Sequence, residues 1–294
     1  MVAQTLLDQD FLNKLEHLSL STRMMVKGDA GGNRKSHAKG SSVEFSDFKE
    51  YVPGDDFRRI DWNAYARFER LFLKLFTEER ETVVTVFIDC SKSMDWGQPN
   101  KGFFAKQIAA ALVYIALSNF DRTAVAVLNQ KVQTSMPILS GKQSFWRALK
   151  FIDGIAFDGK TGLSGAIKSY EGLGSRSGIS IILTDLFSED GYKEGIKYLQ
   201  YKKQDTTIIH IMAPQEMEPP WQDSVRLLDI EGYEYRDITI KQDVLSAYKK
   251  ALDDFLDDNR RFCYERGVHY IPVSSAAGVD RVIFDSLFAT GVMR

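Results

Sequence analysis

The stretch Val83-Val84-Thr85-Val86-Phe87-Ile88-Asp89-Cys90-Ser91-Lys92-Ser93-Met94 decides how the chain is read. Its first half is a continuous apolar, β-branched run, the pattern of a strand buried on both faces. Its second half spells D-x-S-x-S. That places one carboxylate and two hydroxyls, those of Asp89, Ser91 and Ser93, on the short loop where the strand ends. All three are hard oxygen donors, the kind Mg²⁺ prefers. Two more oxygen donors occupy loops of the same sort downstream. Thr161 stands in Gly159-Lys160-Thr161-Gly162, ahead of the helical stretch 163–173, and Asp185 follows the apolar run Ile179-Ser180-Ile181-Ile182-Leu183-Thr184. An open α/β sheet binds ligands in the crevice outside the carboxyl ends of its strands. The plainer reading of the same residues is that Asp and Ser form turns and that Ser93 caps a helix.

Outward from this stretch the chain alternates strands and helices. After the strand at 83–89 comes a strongly apolar helix near 102–118, then strands near 123–128 and 131–137, close enough for a hairpin. Helices near 143–153 and 163–173, a strand at 179–184, a helix near 191–203 and a strand at 206–212 follow. Residues 213–242 are less regular, broken by Pro214, Pro219 and Pro220, with room for a strand pair. A long amphipathic helix at 243–266, a strand at 268–273 and a short helix at 279–289 close the pattern. Such alternation predicts an α/β fold with a mostly parallel sheet covered by helices on both faces. Upstream, 8–26 reads as a helix, 28–42 as a Gly-rich loop and 43–80 as short strands and turns. The expected division is therefore an N-terminal helix and β-containing subdomain over 1–80, and the α/β domain over 81–294.

Asp89, Ser91, Ser93, Thr161 and Asp185 resemble the five positions of the metal-ion-dependent adhesion site in a von Willebrand factor A domain. The resemblance implies a Rossmann-like von Willebrand A-type fold and a bound Mg²⁺, with Mn²⁺ or Ca²⁺ as alternatives. It implies that the two serines bind the metal directly, Thr161 directly or through water, and the aspartates mostly through water. Two carboxylates neutralise a divalent cation without saturating it, so an acidic residue of a partner can complete the coordination.

A second segment narrows the family. Residues 36–67 contain Ser36-His37, Gly40, Glu44-Phe45, Asp47-Phe48, Tyr51, Pro53-Gly54-Asp55-Asp56, Arg58, Ile60-Asp61-Trp62 and Ala66-Arg67. This is similar to the signature of the bacterial family called domain of unknown function 58, which precedes a von Willebrand A-like domain. Lys49 stands where that signature usually has arginine, keeping the charge but not the planar fork. The family resemblance implies an adaptor or co-chaperone that works with a MoxR-class AAA+ ATPase on a client protein. Read without the family, Pro53-Gly54-Asp55-Asp56 is a turn signal. Around it, Asp55, Asp56, Arg58, Arg59, Asp61 and Arg67 can form a salt-bridge network that fixes a small β subdomain. The functional alternative is a docking surface that presents Phe45, Tyr51 and Trp62 with those arginines, residue types enriched at interface hot spots.

Composition sets the outer limits. The chain has 294 residues, 44% hydrophobic and 27% charged, ordinary values for a globular protein. A formal net charge of −2 gives no support for non-specific nucleic-acid binding. The basic stretch of Arg23, Lys27, Arg34, Lys35 and Lys39 has no interleaved aromatics and reads as a solvated loop. Two cysteines, Cys90 and Cys263, suit a reducing compartment, and Cys90 reads as a strand-end core residue. With no signal-peptide pattern and no apolar run expected to approach spanning length, the expectation is a cytoplasmic protein without membrane insertion.

Enzyme readings are weaker. A dehalogenase-type phosphotransferase needs a second aspartate where Ser91 stands. The glycines at 172–178 precede a strand instead of following one, no P-loop occurs, and the four histidines have no zinc spacing. The expectation is a metal-dependent protein-binding module and not an enzyme. The alternative is a Mg²⁺-dependent phosphoester hydrolase using Asp89 and Asp185.

Overall fold

The computed structural model describes residues 6–20, 43–78, 82–119, 121–174, 177–220, 224–228, 235–239 and 242–293. The elements are α1 (Gln9–Leu15), β1 (Val43–Glu50), α2 (Trp62–Phe68), β2 (Phe72–Glu78), β3 (Val83–Asp89), α3 (Lys101–Ser118), β4 (Arg122–Leu128) and β5 (Val132–Ser140). They continue with α4 (Phe145–Asp153), α5 (Leu163–Ser169), β6 (Gly178–Thr184), α6 (Lys193–Tyr201), β7 (Gln204–Met212) and α7 (Pro214–Met217). Last come β8 (Ser224–Leu228), β9 (Tyr235–Thr239), α8 (Gln242–Glu265), β10 (His269–Ser274), α9 (Val279–Arg281) and α10 (Leu287–Ala289).

Six strands form the main sheet in the order β10-β7-β6-β3-β4-β5. Every neighbouring pair is parallel except β4 and β5, which form the expected hairpin. Renumbered within the sheet, this is the 3-2-1-4-5-6 order of a doubly wound α/β fold, and its topological switch point lies between β3 and β6. The strands are buried on both sides, as their apolar runs require. Successive residues of β3 serve opposite faces. Val84, Val86 and Ile88 join the cluster formed with α1, α3 and α4, and Phe87 joins the one formed with α5, α6 and α8.

Helix α3 is largely apolar, and the reason is its position. By length and composition it would suffice to cross a membrane, but 78% of it is buried inside the fold. It lies between the sheet on one side and α1 and α4 on the other, which leaves only a narrow margin, at Lys106 and Gln107, for polar side chains in its middle.

Several elements differ from expectation. The helix expected over 8–26 ends at Leu15, where Glu16 takes the Tyr114 hydroxyl and pairs with Lys142, and Leu20 makes an isolated bridge to Met293. The described residues form two compact units, 6–20 with 82–293 and 43–78, because Leu12, Leu15 and Leu18 belong to the same core as α3. The helix expected over 163–173 stops at Ser169, since Tyr170 turns extended and packs edge-on against Phe87 with 5.2 Å between ring centroids. The irregular region contains the expected strand pair, β8 with β9. The terminal helix near 279–289 is a succession of short turns, α9 and α10 flanking a π-helical turn at Val282–Ser286.

The smaller unit is an antiparallel ladder of β1 with β2, bulged between Phe45 and Asp47, together with α2, where the sequence suggests only strands and turns. The basic stretch 23–39 and the start of the signature, with His37 and Gly40, lie outside the described residues.

Leu15 is fully buried in the α3 core. Leu15→Ala is expected to lower stability by about 2–5 kcal/mol in urea denaturation. A loss below about 0.5 kcal/mol would mean that α1 is not part of this core.

Candidate metal centre

The candidate site sits at the switch point. Asp89 is the last residue of β3 and Asp185 directly follows the neighbouring strand β6, so parallel pairing brings both carboxylates to one edge of the sheet. Both are fully buried. Asp89 Oδ1 accepts from the Ser91 amide at 3.0 Å, and Oδ2 accepts from the Thr184 hydroxyl at 2.7 Å. Burial first, and the nearby Asp185 charge second, push the Asp89 carboxyl well above the usual carboxylate range; the Thr184 and Ser91 bonds oppose this.

Ser91 and Ser93 lie on the tight turn that follows. Neither hydroxyl caps a helix: the 3₁₀ turn Lys92–Met94 has no side-chain cap bond, and Asn100 caps α3. The two hydroxyls instead face each other at 3.0 Å. The plain turn-and-cap reading of these serines is therefore not what the local geometry uses.

The Thr161 loop is laced to this turn by main-chain bonds. Lys92 N donates to Gly159 O at 2.9 Å, and Asp158 N donates to Cys90 O at 2.8 Å. Gly159 adopts φ +79°, a conformation that favours glycine, and a Cβ there would also require the Asn129 side-chain amide, 2.7 Å away, to shift. Thr161 itself is buried. All five expected positions are thus gathered on three loops at the carboxyl edge.

The sequence reading misses the site's cation. Lys101, the first residue of α3, is only 1% exposed. Its Nζ donates to Asp185 Oδ2 at 2.8 Å and to Glu216 Oε1 at 2.6 Å. Burial alone would lower its pKa, but the two carboxylates outweigh burial and hold it above the ordinary lysine value. Asp185 Oδ1 accepts from the Phe187 amide at 3.1 Å. Glu216 is pinned on α7, its other oxygen accepting from Ala213 N at 2.6 Å. His210 on β7 feels the charges of both Asp185 and Lys101. Burial pushes it down to about 4, so it stays neutral and shares a 2.6 Å bond between Nδ1 and the Tyr270 hydroxyl.

Two carboxylates and three hydroxyls make a hard oxygen set suited to Mg²⁺, Mn²⁺ or Ca²⁺ and unsuited to a zinc centre. Among the described residues no group of three or more His, Cys, Asp or Glu side chains could hold a metal. The donor chemistry of the five residues fits a hard divalent cation.

The signature residues belong to the smaller unit. Asp61 caps α2 by accepting from the amides of Asn63 and Ala64, Asp56 caps the turn at Phe57–Arg59, and Asp55 accepts from Lys49 and from Val52 N. Each of these acids accepts local main-chain bonds, and Lys49 pairs with Asp55. Trp62, Phe57 and Phe68 are each more than 60% exposed, Tyr51 is half-buried, and Arg58 and Arg67 are exposed. Phe45 lies in β1, with its side chain outside the described set. A cavity of about 730 Å³ is lined by residues that include Asp61, Arg67 and Phe68.

Fold and site together define an α/β domain with an oxygen-donor centre at its topological switch point. The chain belongs to the family described as Protein of unknown function DUF58, whose model matches residues 47–255. Uncharacterized proteins of Mycobacterium tuberculosis and Mycobacterium bovis are 24% identical over 242 residues, covering 81% of this chain and 76% of theirs. Among solved structures, the conserved hypothetical protein BatB from Bacteroides thetaiotaomicron is 18% identical with a TM-score of 0.43, covering 71% of this chain and 98% of that one. The VWA domain of SpRpn10 is 10% identical with a TM-score of 0.37, covering 68% of this chain and 92% of that one. At likenesses this low, the fold assignment rests on the sheet order itself.

Cys90 and Cys263 are both fully buried free thiols, pushed up to about 12 chiefly by burial. Native protein should take up no thiol-specific disulfide reagent within minutes near pH 8 (about the ordinary thiol pKa), while urea-unfolded protein labels at both. Rapid native labelling of Cys90 would contradict the packing of this loop.

Proposed function

We propose that the chain is a protein-interaction module whose centre, formed by Asp89, Ser91, Ser93, Thr161 and Asp185, holds Mg²⁺ and captures an acidic side chain of a partner. The observation that carries this reading is the pair of buried carboxylates at the switch point, flanked by hydroxyls not spent on helix capping. A divalent cation there supplies charge neutralisation and a coordination position that a partner's carboxylate can fill. This chain's residues would orient it: Thr184 and the Ser91 amide fix Asp89, while Lys101 and the Phe187 amide fix Asp185.

The partner implied by the family resemblance is a MoxR-class AAA+ ATPase, with this protein linking it to a client in complex assembly or maturation. The alternative, a phosphoester hydrolase, needs Asp89 or Asp185 as nucleophile or base.

The test uses this protein and the purified MoxR-class ATPase of the same genome, in binding assays with Mg²⁺ or chelator. Binding is expected with wild type in Mg²⁺, and is expected to be lost in chelator, in Asp89→Ala and in the Ser91→Ala/Ser93→Ala double variant. Equal binding in all samples would sink the metal-dependent mechanism. Magnesium-dependent phosphoester turnover lost in Asp89→Asn would establish the alternative.

A further inference from the structure

Lys101 is an improbable residue for its place. It opens α3, where the helix dipole disfavours a cation, and it is almost wholly removed from water. What retains it there is the pair of carboxylates it bridges, Asp185 at 2.8 Å and Glu216 at 2.6 Å. Neither carboxylate is free to move away. Asp185 is held by the Phe187 amide, and Glu216 by the Ala213 amide at the start of α7. The ammonium is thus a fixed positive charge built against one of the residues assigned to the metal centre.

The charges sum simply. With Asp89 ionised, as metal binding requires, Asp89, Asp185 and Glu216 contribute three negative charges and Lys101 one positive, leaving two, the charge of a single divalent cation. Removing the ammonium raises that surplus to three, and neutralising Glu216 lowers it to one. In a buried site these charges are weakly screened, so each change acts on a nearby cation with near-full strength.

We propose that Lys101 and Glu216 set the affinity of this centre for its divalent cation, Lys101 holding it down and Glu216 holding it up. The inference rests on the metal-binding reading above. A purely structural salt bridge makes a different demand. If the pair only shaped the site, breaking it from either side would loosen the donors and weaken binding both times. Charge control requires the two changes to act in opposite directions.

The experiment is titration of the full-length protein with Mn²⁺, followed by the electron paramagnetic resonance signal of the free ion. Wild type, Lys101→Met, Glu216→Gln and Asp89→Asn are compared, each shown to be folded by circular dichroism. Lys101→Gln, which keeps a donor toward both carboxylates, replaces Lys101→Met if that variant does not fold. Removing the ammonium is expected to tighten Mn²⁺ binding by at least about tenfold, and Glu216→Gln to weaken it by about tenfold. Changes in the same direction, or changes under about twofold from both, would overturn the proposal while leaving the metal centre intact, provided Asp89→Asn abolishes binding. Absence of Mn²⁺ binding in every variant, or binding indifferent to Asp89→Asn, would overturn the metal reading and this inference with it.

Discussion

The site depends on carboxylates buried where the sheet's topology reverses. Asp89 and Asp185 sit at the ends of adjacent parallel strands, both fully removed from water. A buried charge is costly unless it is paired and hydrogen-bonded. The chain meets that cost with local donors: Thr184 and the Ser91 amide for Asp89, the Phe187 amide and Lys101 for Asp185. Lys101 brings Glu216 into the same network and ties the start of α3 to α7, across a sequence separation of 115 residues. The three loops around the centre are held by that network and by the main-chain lacing of the Ser91 turn to Gly159.

Much of this is legible in the amino-acid sequence. Apolar runs ending in aspartate mark β3 and β6, and strand-helix alternation marks a mostly parallel sheet. The five oxygen donors stand out by residue type and by their places after strands, and the fold brings their loops together. Lys101 and Glu216 are not legible in that way, because their partners are distant in sequence and only the tertiary fold joins them. A signal does exist. A lysine at the first turn of a largely apolar helix opposes the helix dipole, which calls for a compensating anion. Ala213-Pro214-Gln215-Glu216 also carries a helix-start signature, with proline at the first position and an acid at the third.

The boundaries that periodicity misplaces have local causes. Helix α1 shares its periodicity with the residues beyond it, but Glu16 is claimed by Tyr114 and Lys142 and the chain turns there. Helix α2 is too short for its period to stand out, and its cap, Asp61, has the look of a charge-network residue among the neighbouring arginines. The stretch after α5 follows Tyr170 into the core against Phe87. At both α1 and α5 a tertiary contact outweighs a local preference.

The signature segment and the metal centre belong to separate compact units, and each solves its own problem of charge. In the smaller unit acids cap turns and leave aromatics exposed; in the larger, acids are buried at the place proposed for a divalent cation. The account stands or falls on that cation. Its most direct test is a crystal of this protein grown with Mn²⁺ and measured for anomalous scattering at the manganese edge. The account requires one strong peak among Asp89, Ser91, Ser93, Thr161 and Asp185. A well-ordered site with no peak, its charge balanced by Lys101 alone, would contradict it.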